Sequence, residues 1–296
     1  MSVKHCKLLN KTRYINIGGK LLDLQTPRIM GILNITPDSF YKGSRYVSEG
    51  DIIRTASKML VDGADILDVG GYSSRPGAIN ISPEEEKKRV LKAIKLISTE
   101  LPGSVISIDT FRSEIALEAV NECGARIIND ISGGEADKNM FEIVRKVNVP
   151  YILMHMQGNP RNMQKNPVYY DIIADILKWF GERIVRLCSL GAKDIIIDPG
   201  FGFGKTVDQN FEMLNRLGDF SVAGLPVLAG VSRKSMIWKT LETTPDESLN
   251  GTSVLNAVAL MNGADILRVH DVKEAVQAVK LIEMIRRSAI LKDQKN

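Results

Sequence analysis

The chain has no apolar run approaching the ~18 residues that a membrane helix needs, so no transmembrane segment is expected. Met1 to Lys11 is polar and lacks the apolar centre of a signal peptide. Cysteine is scarce: Cys6, Cys123 and Cys188 lie far apart, with no Cys-x-x-Cys pair. They read as free thiols of a reducing cytoplasm, not as disulfides or zinc ligands. The net charge of +4 is small and scattered, with no basic stripe interleaved with aromatics. Nucleic acid is therefore not an expected partner, whereas a small anionic substrate suits the sign.

Nucleotide-binding fingerprints are also missing, although one stretch comes close. "DIIIDPGFGFGKT", residues 194–206, runs from a strand into glycines, then Lys205 and Thr206. A phosphate-binding P-loop needs glycine five places before its Gly-Lys-Thr, and that place is Pro199. The dinucleotide pattern Gly-x-Gly-x-x-Gly fails too, because Gly200, Gly202 and Gly204 are spaced by twos. Three glycines after a strand still require unusual dihedrals or close approach of a ligand.

Eight short apolar segments have the character of parallel-sheet strands: Met30–Asn34, Ile66–Gly70, Val105–Asp109, Arg126–Asn129, Tyr151–His155, Asp194–Asp198, Pro226–Gly230 and Ile266–His270. Helical patterns lie between most of them. Ser82-Pro83-Glu84-Glu85 and Thr244-Pro245-Asp246-Glu247 each read as a capping box with proline at the first helical position. Asp271 followed by Glu274 opens the last helix. Gly-Ala recurs before four strands, at Gly63, Gly124, Gly191 and Gly263, where glycine suits a left-handed helix cap. Eight strand–helix units predict a (β/α)₈ barrel over residues 29–290, favoured over an open doubly wound sheet. Residues 1–28 precede it, and "YINIGGKLLDL" predicts a hairpin covering the barrel's bottom. No linker divides the chain, so one domain is expected.

Barrel active sites lie at the C-terminal ends of the strands. In this chain every strand delivers a polar group there: Asn34, Ser73 to Arg75, Asp109, Asn129 and Asp130, His155, Asp198, Ser232 to Lys234, and Arg268 with His270. Each alone has an ordinary structural explanation. Asp109 and Asp130 could be helix caps, His155 a packed core histidine, Arg233 a solvated charge, and Met154 barrel filling. The coincidence on one rim is what points to a site. Asn34, Ser74, Arg75, Lys234, Arg268 and His270 suit an anion with several oxygens, such as a diphosphate. Asn34 can also offer an oxygen to Mg²⁺. Asp109, Asn129 and Asp198 suit the polar edge of a flat heterocycle, with Phe203 and Met156 at its faces.

Taken together, "MGILNITPDSF", "GGYSSRPGA", "SIDTFR", "IINDISGG", "LMHMQGNP", "DPGFGFGK", "GVSRKSM" and "LRVHDV" resemble the dihydropteroate synthase family of folate biosynthesis, in order from Met30 to about Val272. The resemblance implies a transferase on a (β/α)₈ barrel, commonly a cytoplasmic homodimer. Such an enzyme joins 7,8-dihydropterin-6-ylmethyl diphosphate to 4-aminobenzoate and releases pyrophosphate. It implies that Asp109, Asn129, Met156, Asp198, Phe203 and Lys234 hold the pterin. Asn34, Ser74, Arg75, Arg268 and His270 would hold the diphosphate, with Mg²⁺ near Asn34. Phe40, Ser74, Pro76 and Ser232 would line the aminobenzoate pocket, where sulfonamides bind. The residues carrying the chemistry would be Asp109, Asp198, Lys234, Arg268 and His270. Two loops depart from the family's pattern: Lys42 replaces an acid and Tyr72 a glutamate. The resemblance leaves two alternatives, a pterin-binding methyltransferase using methyltetrahydrofolate and a pterin-binding homologue without turnover. A methyltransferase would have no use for Arg75, Lys234, Arg268 and His270.

Overall fold

The structure, a computed structural model, describes residues 12–35, 48–72, 81–158, 163 and 167–293, with side chains to 288. Strands β1 (Tyr14–Ile17) and β2 (Lys20–Asp23) form an antiparallel hairpin. Eight parallel strands follow: β3 (Arg28–Asn34), β4 (Ile66–Gly70), β5 (Ile106–Asp109), β6 (Ile127–Asp130), β7 (Tyr151–Met154), β8 (Ile195–Asp198), β9 (Leu228–Ala229) and β10 (Ile266–Val269). Their order is β8-β7-β6-β5-β4-β3-β10-β9, and a parallel bridge from Ile197 to Val227 joins the two ends. The sheet is thus a closed (β/α)₈ barrel.

Among the described residues the α-helices are α1 (Glu49–Asp62), α2 (Pro83–Glu100), α3 (Ser113–Glu118), α4 (Met140–Val147), α5 (Ile172–Ser189), α6 (Val207–Asn215), α7 (Ser235–Thr240), α8 (Leu249–Met261) and α9 (Val272–Asp293). Gly63, Gly124, Gly191 and Gly263 all adopt positive φ, between 92° and 104°, as the recurrent Gly-Ala exits predict. Ser82 caps α2, accepting the Glu85 N–H at 3.2 Å, with Pro83 in the first turn. The device at Thr244 differs from expectation. Thr243 and Thr244 both donate to Glu247, closing a turn, and α8 starts later, with Ser248 at its N-cap. Asp271 precedes α9, but its carboxylate is taken by Arg233, at 2.7 and 3.0 Å. β9 is shorter than predicted: Pro226 has no N–H to give the ladder.

Strand alternation sorts the side chains into two cores. Outward residues such as Leu67, Ile108, Ile128, Leu153, Ile197 and Leu267 pack under the helices. Inward residues Met30, Ile66, Ile127, Ile152, Ile196, Leu228 and Ile266 fill the lower barrel. Ile15, Ile17 and Leu24 from the hairpin segment pack against them, so the hairpin covers the bottom as predicted. Asn16 N–H donates to Asp194 at 3.0 Å and fastens it there.

Candidate active site

Two residues beyond each lower-barrel side chain, the chain again faces inward. From Ile66, Ile127, Ile196 and Ile266 this rule leads to Asp68, Asn129, Asp198 and Arg268. One step further lie Asn34 on β3 and Asp109 on β5, then Met156, Ser232 and His270 just past their strands. The apolar floor therefore gives way to a charged layer within one pleat. Asp68, Asn129 and Asp198 are buried, with at most 4% exposure.

Arg268 organises this layer. Its Nε donates to Asp68 Oδ2 at 2.6 Å and its Nη2 to Asp109 Oδ2 at 2.5 Å. Asn129 Nδ2 donates to the same Asp68 oxygen at 3.0 Å. Burial pushes the Asp109 carboxyl up to about 7; Arg268 pulls against this, while Asp68, Asp130 and Asp198 add to it. Burial raises Asp198 as well, opposed by Lys234 and by the Gly200 N–H, which donates to it at 2.7 Å. For Arg268, burial acts to discharge the guanidinium, but Asp68 and Asp109 outweigh it and the net shift is upward.

The glycine-rich stretch is a turn locked against the end of β7. Gly200, Gly202 and Gly204 have φ of 74°, 79° and 62°. A Cβ on Gly200 would lie 1.9 Å from the His155 carbonyl oxygen, so no side chain fits. Lys205 does not face a phosphate. Its ammonium is buried inside the turn, donating to the Gly200 and Phe203 carbonyls at 3.0 Å each, and sits 3.1 Å from His155 Nδ1. Burial pulls it down to about 7, against the field of Asp198. Thr206 is the N-cap of α6, in a full capping box with Gln209. His155 is a packed histidine, edge-on to Trp179 at 5.1 Å; burial and then Lys205 drive it down to about 2, so it is neutral. Lys234 reaches the turn from the other side. It donates to the Phe201 carbonyl and lies 4.7 Å from the Phe203 ring centre. Burial lowers it to about 8, with Asp198 opposing and Arg268 assisting.

This arrangement can receive a flat ring whose N–H edge meets Asp109, Asp198 and Asn129, with cationic Lys234 and Arg268 beside it. The comparisons with known proteins decide among the barrels that could carry it. The sequence matches the pterin binding enzyme family over residues 30–270. It is 44% identical over 267 residues to the dihydropteroate synthase of Escherichia coli, covering 90% of this chain and 94% of that one. The Bacillus subtilis dihydropteroate synthase is 41% identical, covering 86% and 87%. Among solved structures, the Yersinia pestis dihydropteroate synthase with a sulfonamide drug superposes with a TM-score of 0.88 at 38% identity, covering 93% of this chain and 99% of that one. The Xanthomonas albilineans enzyme with 4-aminobenzoic acid gives 0.85 at 35%, covering 93% and 98%.

The chain belongs to the dihydropteroate synthase family. It is a transferase of folate biosynthesis, which decides against the methyltransferase alternative. Of the residues that the family pattern marks, Asp109, Asn129, Asp198, Phe203, Lys234 and Arg268 are brought together at the barrel mouth. Ser232 and His270 form a pair nearby: the Ser232 hydroxyl accepts the His270 backbone N–H at 3.2 Å and lies 3.0 Å from Nδ1. Asn34 and Met156 are half-buried at their strand ends. Phe40, Lys42, Ser74, Arg75 and Pro76 lie outside the described residues. Tyr72, a departure from the family pattern, packs edge-on against Phe111 at 5.1 Å, with the Arg112 guanidinium over both rings. Arg112 is held in turn by the buried Glu86. Asp130 is not the helix cap suggested for it, since the next helix begins only at Met140; it holds the turn after β6 instead. It faces outward and accepts from Ser132, Gly134 and the Tyr151 hydroxyl. Asp68 is the residue that sequence reasoning missed. The same two-residue step from Ile66 would have found it.

Proposed function

We propose that this enzyme condenses 7,8-dihydropterin-6-ylmethyl diphosphate with 4-aminobenzoate to give 7,8-dihydropteroate and pyrophosphate. The observation that carries the details is the inward layer itself: buried Asp198, half-buried Asp109 and the Asn129 amide for a donor-bearing ring edge, with Arg268 and Lys234 alongside. The route is dissociative. The methylene C–O bond breaks and its electron pair leaves with pyrophosphate. The cation left on the methylene carbon is delocalised into the pterin, where the carboxylates of Asp109 and Asp198 stabilise it. The aminobenzoate nitrogen then forms the C–N bond and loses its proton to water. Asn34, Ser74, Arg75, Arg268 and His270 are assigned to the diphosphate. Phe40, Ser74, Pro76 and Ser232 are assigned to the aminobenzoate, and a sulfonamide would compete there.

Mg²⁺ fits this site as an ion carried by substrate. Among the described residues no three acids, cysteines or histidines cluster to hold a metal. Asn34 offers one amide oxygen, and a Mg²⁺ ion takes phosphate oxygens and water for the rest. When bound, it would neutralise charge on the departing pyrophosphate.

A homodimer is supported by apolar side chains exposed on the last two helices. Val254 and Met261 on α8 are 53% and 65% exposed, and Leu281, Met284 and Ile285 on α9 are 55–67% exposed. Cytoplasmic residence is consistent with Cys123 and Cys188 being free thiols. Among the described residues no helix is long and apolar enough to cross a membrane.

The deciding assay follows pyrophosphate from the pterin diphosphate with Mg²⁺, with and without 4-aminobenzoate. Release that requires 4-aminobenzoate and yields a conjugated pterin supports the assignment. Pterin binding without release would make the chain a pterin-binding homologue lacking turnover.

A further inference from the structure

Asp68 sits one inward step below the mouth, beside Ser107 on the neighbouring strand and not at the strand end. Its side chain is fully buried. A carboxylate only accepts hydrogen bonds. One oxygen, Oδ2, takes both the Asn129 Nδ2–H at 3.0 Å and the Arg268 Nε–H at 2.6 Å, while Oδ1 is buried without a partner. No step of the proposed chemistry uses Asp68 directly. Its effect falls on the two side chains it holds.

The consequence is sharpest for Asn129. A carboxamide has a donor end and an acceptor end that differ little in shape. Because Asp68 can only accept, the donor end must turn towards it. The acceptor end, Oδ1, is then the one left for a ligand. Reversed, the amide would set its NH₂ against the N–H edge that Asp109 and Asp198 read, donor against donor. Arg268 is held in the same way: Asp68 anchors Nε, so the outer nitrogen reaches Asp109.

We propose that Asp68 is a positioning residue that sets the donor–acceptor pattern of the pocket, through the orientation of Asn129 and the anchoring of Arg268. It thereby selects a heterocycle that presents N–H donors. This inference rests on the pterin reading of the site.

The test measures binding of 6-hydroxymethyl-7,8-dihydropterin by calorimetry. Without the diphosphate, the assay isolates the heterocycle contacts. Asp68→Leu should weaken binding about tenfold or more, the worth of one lost hydrogen bond plus a donor clash. Asp68→Asn should stay within about threefold of wild type, because its amide oxygen can take the place of Oδ2 and accept both contacts. The double variant Asp68→Leu/Asn129→Ala should lose less than the sum of the two single losses, since the part that runs through Asn129 is counted only once and the part that runs through Arg268 remains. If Asp68→Leu does not yield folded protein, Asp68→Ser carries the same expectation, because a hydroxyl accepts or donates and no longer fixes the amide. Undiminished binding by either variant overturns the proposal. So do additive losses in the double variant, or a loss in Asp68→Asn equal to that in Asp68→Leu. Wild-type protein that binds no pterin would overturn the pterin reading itself, a distinct result.

Discussion

Pterin binding should weaken as pH falls through neutrality, and Asp109 should be the cause. Its carboxyl is pushed up to about 7 by burial, against the pull of Arg268. A ring edge that donates needs an acceptor, so it binds the carboxylate form. The sign follows directly: above pH 7 the acceptor is present, and below it Asp109 carries a proton and loses that capacity. At pH 8 about nine-tenths of the protein holds the carboxylate, and at pH 6 about one-tenth, so affinity should drop roughly tenfold between them. Each further unit costs another factor of about ten, or about 1.4 kcal/mol. The assay is calorimetric titration with the dihydropterin from pH 5 to 8, on wild type and on Asp109→Asn. The substituted protein should bind weakly at every pH, with a flat profile. A flat profile in wild type would refute the reasoning. A slope that survives undiminished in Asp109→Asn would show that another group, such as Asp198 or Lys234, titrates in its place, and would equally refute the assignment to Asp109.

Asp198→Asn should lower pterin affinity about a hundredfold, since one charge-assisted acceptor becomes a donor facing a donor; unchanged calorimetric affinity would remove Asp198 from the ring edge. Gly200→Ala should cost about 3 kcal/mol or more in denaturant unfolding, through backbone strain together with collision against the His155 carbonyl; a neutral effect would mean that the turn is not locked. Lys205→Met should change how stability varies with pH. With Lys205 pulled down to about 7 in the folded state, the unfolded chain holds the extra proton between there and its ordinary value, so stability climbs as pH rises through that window. The substituted protein should lack part of that climb between pH 7.5 and 9.5 in unfolding titrations, and identical slopes would show that the buried ammonium is not titrating.

The fold was legible because parallel barrel strands leave little choice of residue. Both faces are buried, so each strand is a short apolar run, and each helix exit needs a left-handed residue that glycine supplies best. Asp109, Asn129 and Asp198 stood out because an acid or amide closing an apolar run is conspicuous. Asp68 did not, since it lies inside the run "ILDVG", where strand-end reasoning does not look. Only the alternation from Ile66 exposes it. Lys205 was hidden for another reason. One letter after a glycine turn does not say whether an ammonium faces a ligand or folds back onto its own carbonyls. That depends on φ at Gly200, Gly202 and Gly204, and on the approach of His155 from the neighbouring strand. The start of α8 was misplaced because Thr244 and Glu247 satisfy each other in a turn as well as they would in a helix cap. The separate duties of pterin and diphosphate residues came from the family resemblance, because residue types alone allow Arg268 and Lys234 to serve either.

The charge states at the mouth explain why the two ends of this barrel are built so differently. Burial drives Asp109 up to about 7 and brings Lys234 down to about 8, so both change charge near neutral pH while Arg268 stays charged between Asp68 and Asp109. On the proposed assignment, a ring that donates to Asp109 and Asp198 would favour their carboxylates. The isoleucine-rich floor under the charged layer, with Ile15 and Ile17 packed from below, contains no charge and depends on no ligand. The apolar floor can therefore keep the barrel closed whatever the charge state of the mouth above it, where the proposed chemistry takes place.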